Sequence, residues 1–316
     1  MKIRQLSKIG ASALVALLIV SAALVSFFVI KYQLGLDSGS QTSNSPSTSG
    51  QYSREELIAY VLSLINSDRQ AANVPNLTLS SVGAAQVHAN EMFKNGYFSH
   101  SDLEGYKPYV RYTLADGHGV VTENIAEQSG SSLDAKAAIR DLEWSMMNDD
   151  AGSNWEHRNN ILDAFHNRVS IGIAYDDESC YLVQDFEDDY VEWTSLGASN
   201  GLAVLAGNIT SSDLTIGQVD IYFDDWSNLT VTVLENPPYN GSYDIGTFVG
   251  SVSDSNLILT EGIFTTPEFW SQSGNSFKID FSLSPFFSRW GKGIYTLRLW
   301  SDNGECLTNY SIFFSG

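Results

Sequence analysis

Five histidines (His88, His100, His118, His157 and His166) and two cysteines (Cys180 and Cys306) are the side chains of this chain best suited to proton transfer, metal ligation or nucleophilic attack. None of them sits in a self-contained motif. The chain has no G-x-S-x-G elbow, no H-E-x-x-H helix and no CxxC or Cys/His pair at zinc spacing. Taken alone, His157 reads as an ordinary polar residue at the start of a short helix. His88, among alanines, reads as half-buried packing, and His118 and His166 as surface groups in polar loops. Two cysteines cannot build a disulfide framework. A single Cys180–Cys306 bridge would lock two domains together, and two unpaired buried thiols are an equal expectation.

The elements that must position these residues begin with a candidate anchor. Lys2, Arg4 and Lys8 precede Ile9–Ile30, an uncharged run, and Lys31 closes it. As a helix this run is about 33 Å long, enough to cross a hydrocarbon core of about 30 Å. The basic residues before it place the N-terminus in the cytoplasm and the rest outside. Ser21-Ala22-Ala23 offers the small residues of a signal-peptide cleavage site, but the apolar run continues through Leu24–Ile30, which favours a retained anchor. Residues 1–36 are therefore expected to form a cytoplasmic stub and transmembrane anchor, with the membrane as partner of residues 9–30. Residues 37–52, serine-rich, form a flexible linker with an r.m.s. span of about 20–25 Å.

Net charge is −20, and the first 31 residues hold four basic and no acidic side chains, so residues 32–316 carry −24. That argues against nucleic acid and anionic lipid headgroups as partners of the exposed part. Sequons at Asn76, Asn208, Asn228, Asn240 and Asn309 add weak support for export.

Residues 53–193 read as mixed α and β. Ser53-Arg-Glu-Glu56 is a capping box that opens a helix with Leu57, Tyr60, Val61, Leu64 and Ile65 on one side. Further helices are expected from about 82 to 95 and 133 to 147, the last with Ile139, Leu142 and Met146 on its core face and Trp144 also in the core. Ser153-Asn-Trp-Glu156 reads as a second capping box, before a short helix to about Leu162. Val169–Tyr175 and Cys180–Phe186 read as a hairpin around Asp176-Asp177-Glu178-Ser179. Residues 200–316 alternate apolar and polar at Val219/Ile221/Phe223, Phe277/Ile279/Phe281 and Tyr295/Leu297/Leu299. With no convincing helix, they read as an all-β Ig-like sandwich of about seven strands. The fold class is α+β.

Four segments carry a resemblance. They are Leu64-Ile65-Asn66-x-x-Arg69, Ala89-x-x-Met92 with Tyr97-Phe98-Ser99-His100, Glu123-Asn124-Ile125-Ala126, and His157-Arg158-x-Asn160-Ile161-Leu162 followed by Ile171-Gly172-Ile173 and Tyr181–Phe186. Their order and spacing resemble the CAP superfamily of SCP-like extracellular domains, nearest to its prokaryotic branch, over roughly residues 55–190. The resemblance implies an α-β-α sandwich with a surface cleft where His100, His157 and Glu123 converge. Two imidazoles and a carboxylate suit a divalent cation such as Zn, Mg or Ca, or acid–base chemistry; equally, His100 would simply hydrogen-bond Glu123 and fix the cleft without metal. Asn66, Arg69 and Asn160 are expected to tie elements together.

The departures bear on the site. Met147 stands where many relatives have a second Glu after the tryptophan, here Trp144. Thr122 replaces the usual Gly before Glu123. An insert around Asn148-Asp149-Asp150-Ala151-Gly152 could bring Asp149 or Asp150 to the cleft, although a solvated acidic loop is the simpler reading. The expected function is a membrane-anchored extracytoplasmic protein that binds a small molecule, lipid, metal or cell-surface partner without catalysis. The alternative is a divalent-metal-dependent hydrolase of peptides, esters or envelope polymers using His100, Glu123 and His157.

Overall fold

The structure, a computed structural model, describes residues 52–211, 214–225, 243–254 and 261–315. The expected anchor at 9–30 and residues 37–51 of the linker lie outside them, and no helix among the described residues is long and apolar enough to cross a membrane.

Helix α1 (Arg54–Ala71) starts at the expected capping box: Glu56 N–H donates to Ser53 Oγ at 3.1 Å, and Ser53 N–H to Glu56 Oε2 at 2.7 Å. Its buried stripe is Leu57, Val61, Ile65 and Arg69, four positions at i+4 spacing. Arg69 is fully buried, and its guanidinium donates to the carbonyls of Pro75, Ile161, Asp163 and His166 at 2.6–3.2 Å. One side chain thereby satisfies four loop carbonyls that would otherwise lie buried without a donor.

Strands β1 (Thr78–Leu79), β2 (Val120–Ser129), β3 (Arg168–Tyr175) and β4 (Ser179–Asp188) form one sheet in the order β1-β3-β4-β2. The β3/β4 hairpin forms as expected, and β2 is an edge. Helices α1, α4 (Ala135–Asn148) and α5 (Glu156–Leu162) cover one face around Val61, Ile65, Ile139, Val169, Leu182 and Phe186. Helix α2 (Ala84–Asn95) covers the other through Ala85, Ala89 and Met92 against Ile125 and Val183. The approach is close: a Cβ on Gly172 of β3 would lie 2.1 Å from the Ala85 carbonyl oxygen, so only glycine lets α2 sit there. This is the expected α-β-α arrangement. A short helix, α3 (Pro108–Leu114), was not anticipated; seven residues with Pro at N1 are too few to show a 3.6 period.

Three local expectations are corrected. Trp144 is 59% exposed, because the buried face of α4 runs through Ala135, Ala138, Ile139, Leu142, Glu143, Met146 and Met147 and the tryptophan falls off it. The capping box at 153–156 does not form: α5 begins after Trp155 in a left-handed conformation, and Ser153 closes a 3-10 turn by bonding Asp150. His166 is buried rather than on the surface, held between Asp188 (Nδ1–Oδ1 2.6 Å) and Thr122 (Nε2–Oγ1 3.2 Å) and stacked on Phe186.

The remaining strands are β5 (Val191–Ser199), β6 (Leu202–Ile209), β7 (Ile216–Asp225), β8 (Thr247–Val252), β9 (Ile263–Thr265), β10 (Phe269–Ser273), β11 (Ser276–Ser282), β12 (Gly293–Ser301) and β13 (Cys306–Phe314). They make two sheets, β10-β11-β6-β5 and β13-β12-β7-β8-β9. The alternating residues read from sequence (Val219, Ile221, Phe277, Ile279, Phe281, Leu297 and Leu299) meet in one core between the sheets. The described residues thus hold nine strands here, more than expected, and also a helix, α6 (Ser284–Trp290), that was not expected. Pro285 at its first turn and Phe286 buried beneath it explain why it forms without a periodic signal.

The two parts share a core. Tyr109, Val110, Tyr112 and Val121 pack with Ile294, and Tyr243, Ile245 and Phe313 join them. Strand β13 is tied to the first part by Asn309 N–H to Gly119 O (3.0 Å), Thr308 Oγ1 to His118 O (2.7 Å) and Ser311 N–H to Thr113 Oγ1 (3.1 Å). Asn309 is 3% exposed, which closes that sequon to a glycan in the folded state. Cys180 and Cys306 are both buried and unbridged; the Cys306 thiol is directed at Thr308 O at 3.3 Å.

Candidate functional site

Two consecutive residues of β2 point to opposite faces, and the site follows from that alternation. Glu123 faces α2 and α3. Its side chain is 0% exposed, with Oε1 2.8 Å from His100 Nδ1 and Oε2 2.5 Å from Arg111 Nη2. Burial alone would raise its pKa; the Arg111 guanidinium, aided by His88 and His100, overcomes this and holds the carboxyl at about 2. An ionised carboxylate accepts only, so the His100 nitrogen facing it is the one that carries a proton. Nε2 of His100 has no hydrogen bond among the described residues.

Arg111 is the hub of this face. It is 2% exposed and also donates to the carbonyls of His100 (2.5 Å) and Tyr106 (2.8 Å). His88, beneath it, is fully buried rather than half-buried and bonds Ser99 O at 2.7 Å. Burial, with the nearby Arg111 charge, pushes its pKa down to about 3, so it stays neutral. Asp185 of β4 is the register partner of Glu123 and is 2% exposed. Burial and the adjacent Glu123 charge raise its pKa well above the carboxylate range. The pair therefore holds one proton, on Asp185.

Asn124, the next residue, faces α5. Its amide donates to His157 O at 3.0 Å and accepts from Asn160 Nδ2 at 2.9 Å, the tie expected of Asn160. The imidazole of His157 is held from the insert: Nδ1 lies 2.7 Å from Asp150 Oδ1, and Asp150 Oδ2 accepts Arg158 N–H at 3.1 Å. Asp150, 4% exposed, thus takes up an imidazole, so the insert is not wholly the solvated acidic loop expected of it, while Asp149 is exposed. Ser153 Oγ contacts that same Nδ1 at 3.1 Å. Serine and aspartate on one nitrogen do not make a hydroxyl–imidazole–carboxylate relay, which needs them on opposite nitrogens.

The sequence-derived trio is therefore not a three-ligand cluster. The ligand atoms of His100, Glu123 and His157 do not all lie within 4.8 Å of one another, although His100 and Glu123 are in direct contact. Among the described residues only Glu91, Asp102 and Glu104 meet that distance. The physical reason is that Glu123 has both oxygens committed, to His100 and Arg111, while the His157 imidazole is held by Asp150. What the fold supplies instead is two imidazoles, each oriented by a carboxylate at Nδ1.

Sequence reasoning missed a third participant. Tyr243, which precedes β8 in the second part, places its ring 5.0 Å from the His100 ring, at 54°. Its hydroxyl accepts the Glu123 backbone N–H at 3.1 Å, across 120 residues of sequence. No local signal could have found it. Arg111 was missed because its helix was not legible.

A family model for CAP, the cysteine-rich secretory protein family, matches residues 62–186. Among solved structures, an extracellular protein containing a SCP domain from Bacillus anthracis is similar at 22% identity over 45% of each chain, with a TM-score of 0.35. The CAP domain of enterococcal PrgA is similar at 16% identity over 43% of this chain and 62% of that one, with a TM-score of 0.30. In both cases less than two thirds of the other chain is spanned. No curated protein matches the sequence at a significant level. The motifs around His100, Glu123 and His157, the α-β-α layers and the family match coincide on one segment, and residues 62–186 of this chain are a CAP domain.

Proposed function

We propose that this chain is a membrane-anchored extracytoplasmic binding protein whose CAP cleft takes a ligand through His100 and His157 without carrying out a reaction. The observation that carries the reading is the shared arrangement of the two imidazoles. Each commits Nδ1 to a carboxylate, Glu123 or Asp150, and leaves Nε2 without a hydrogen bond among the described residues. Carboxylate-oriented histidines are the usual support of a metal-binding or ligand-binding imidazole. Neutral imidazole nitrogens suit zinc-type ions better than Mg²⁺ or Ca²⁺, which prefer oxygen. Such an ion would supply a Lewis-acidic docking point for an oxygen or nitrogen of a ligand. The hydrolase reading is not favoured. Glu123, with a pKa of about 2 and both oxygens engaged, is a poor general base and has no free oxygen for a metal. The apolar run at 9–30 and the serine-rich linker support a tethered surface location.

The test is a thermal and calorimetric titration of the full chain in detergent with Zn²⁺, Mg²⁺ and Ca²⁺. Zinc at about 100 times its Kd should stabilise the wild type by about 2.7 kcal/mol. The variants His100→Ala and His157→Ala should each bind at least about tenfold more weakly, as loss of an oriented ligand implies. An unchanged zinc response in both variants would refute the reading.

A further inference from the structure

We propose that the second part of the chain closes the CAP cleft: Tyr243 is a built-in occupant of the His100 site, and a ligand reaches His100 by displacing it. This rests on the reading of the cleft as the ligand site and adds its regulation.

Three contacts carry the proposal. The Tyr243 ring lies against the His100 imidazole, centroid to centroid 5.0 Å. Its hydroxyl accepts the Glu123 N–H, a donor on the edge strand β2 that points away from β4 and needs a partner once covered. The next residue is fastened to the CAP domain: Asp244 Oδ1 lies 2.5 Å from Lys107 Nζ, and the same ammonium meets Asp224 Oδ1 at 2.8 Å. Tyr109 of α3 completes the fastening by donating to Asp224 Oδ2 at 2.6 Å. The site beneath these contacts is nearly closed, with His100 8% and Glu123 3% exposed.

A simple strut between the two parts would not need this placement. Ile294, Ile245 and Phe313 already fill the apolar contact with Tyr109 and Val121. Tyr243 reaches past them to the imidazole and to the backbone of the residue that orients it. What it satisfies defines what can replace it. A displacing ligand must present an acceptor oxygen to the Glu123 N–H and a flat apolar group to the imidazole.

Histidine modification by diethyl pyrocarbonate, read by peptide mass spectrometry on the full chain, tests this without any metal or ligand. His118, with a 38% exposed side chain, is the reactive reference. His88 and His166, at 0% and 4% exposure, report loss of the fold. In the wild type His100 should react at least about tenfold more slowly than His118. In Tyr243→Ala it should speed up by about tenfold, with His88 and His166 still protected; Tyr243→Phe, which keeps the ring, should leave His100 protected. These fold-changes follow from removing steric cover over one ring. If Tyr243→Ala also exposes His88 and His166, the comparison is made on Tyr243→Leu, which retains apolar filling and removes the ring. An unchanged His100 rate in a folded variant overturns the proposal. The zinc titration of the wild type would stand or fall separately.

Discussion

Arg111→Met should lower the stability of the folded chain by about 3–5 kcal/mol, the cost of stranding a buried charge. The size follows from what remains. Glu123 would keep a side chain with no exposure, lose the guanidinium 2.5 Å away, and stay beside Asp185. The carbonyls of His100 and Tyr106 would lose their donor as well. The Glu123 pKa, now held at about 2, would climb. Adding Glu123→Gln should recover part of the loss, because a neutral amide needs no counter-charge. Urea denaturation of both variants checks this; a loss under about 1 kcal/mol for the single variant would mean the buried pair contributes as little as an exposed one.

Glu143→Gln should act in the opposite direction and only at higher pH. Glu143 is 2% exposed on the face of α4 against the sheet, and its carboxyl receives the Gln184 amide. Burial pushes its pKa to about 8, with the Gln184 bond opposing. The folded state therefore keeps a proton that the unfolded chain releases above its ordinary value of 4.5. Stability from this group is complete below pH 4.5 and is lost as pH rises through 8. Glutamine removes that dependence. The gain should be on the order of 3 kcal/mol at pH 8, after allowing for an imperfectly placed amide, and near zero at pH 4.5. Asp102 and Glu187, both raised to about 7 by burial, add slope of the same sign that the substitution leaves in place. Thermal melts of wild type and variant across this range should diverge upward in pH; parallel curves would show that Glu143 does not titrate there.

The layers of the CAP domain were legible because α1 and α4 bury regular stripes, and because β3 and β4 flank an acidic turn. The β sandwich was legible through alternation at Val219/Ile221 and Phe277/Ile279/Phe281, which the structure buries together. The site was half legible. His100 and Glu123 meet as the motif order implied, and His157 finds the insert carboxylate Asp150 instead of joining them. What stayed hidden has a common cause. Arg111, Tyr243 and Asp185 act through contacts made by tertiary packing, from a seven-residue helix, a distant segment and a neighbouring strand. Period and spacing carry no record of such contacts. His166 and Trp144 were misplaced for a related reason: polarity and bulk suggest burial only on average, and here an aspartate pocket and a helix face decided otherwise.

The central claim is that Glu123, fixed as an anion by Arg111, holds the proton of His100 at Nδ1 and leaves Nε2 as the ligand-facing nitrogen. Nitrogen-15 spectra of the full chain with labelled histidine, assigned by loss of the signal in His100→Ala, read that arrangement directly. The neutral His100 ring should show a protonated Nδ1 and a bare Nε2. A proton on Nε2, with Nδ1 bare toward Glu123, would contradict the account.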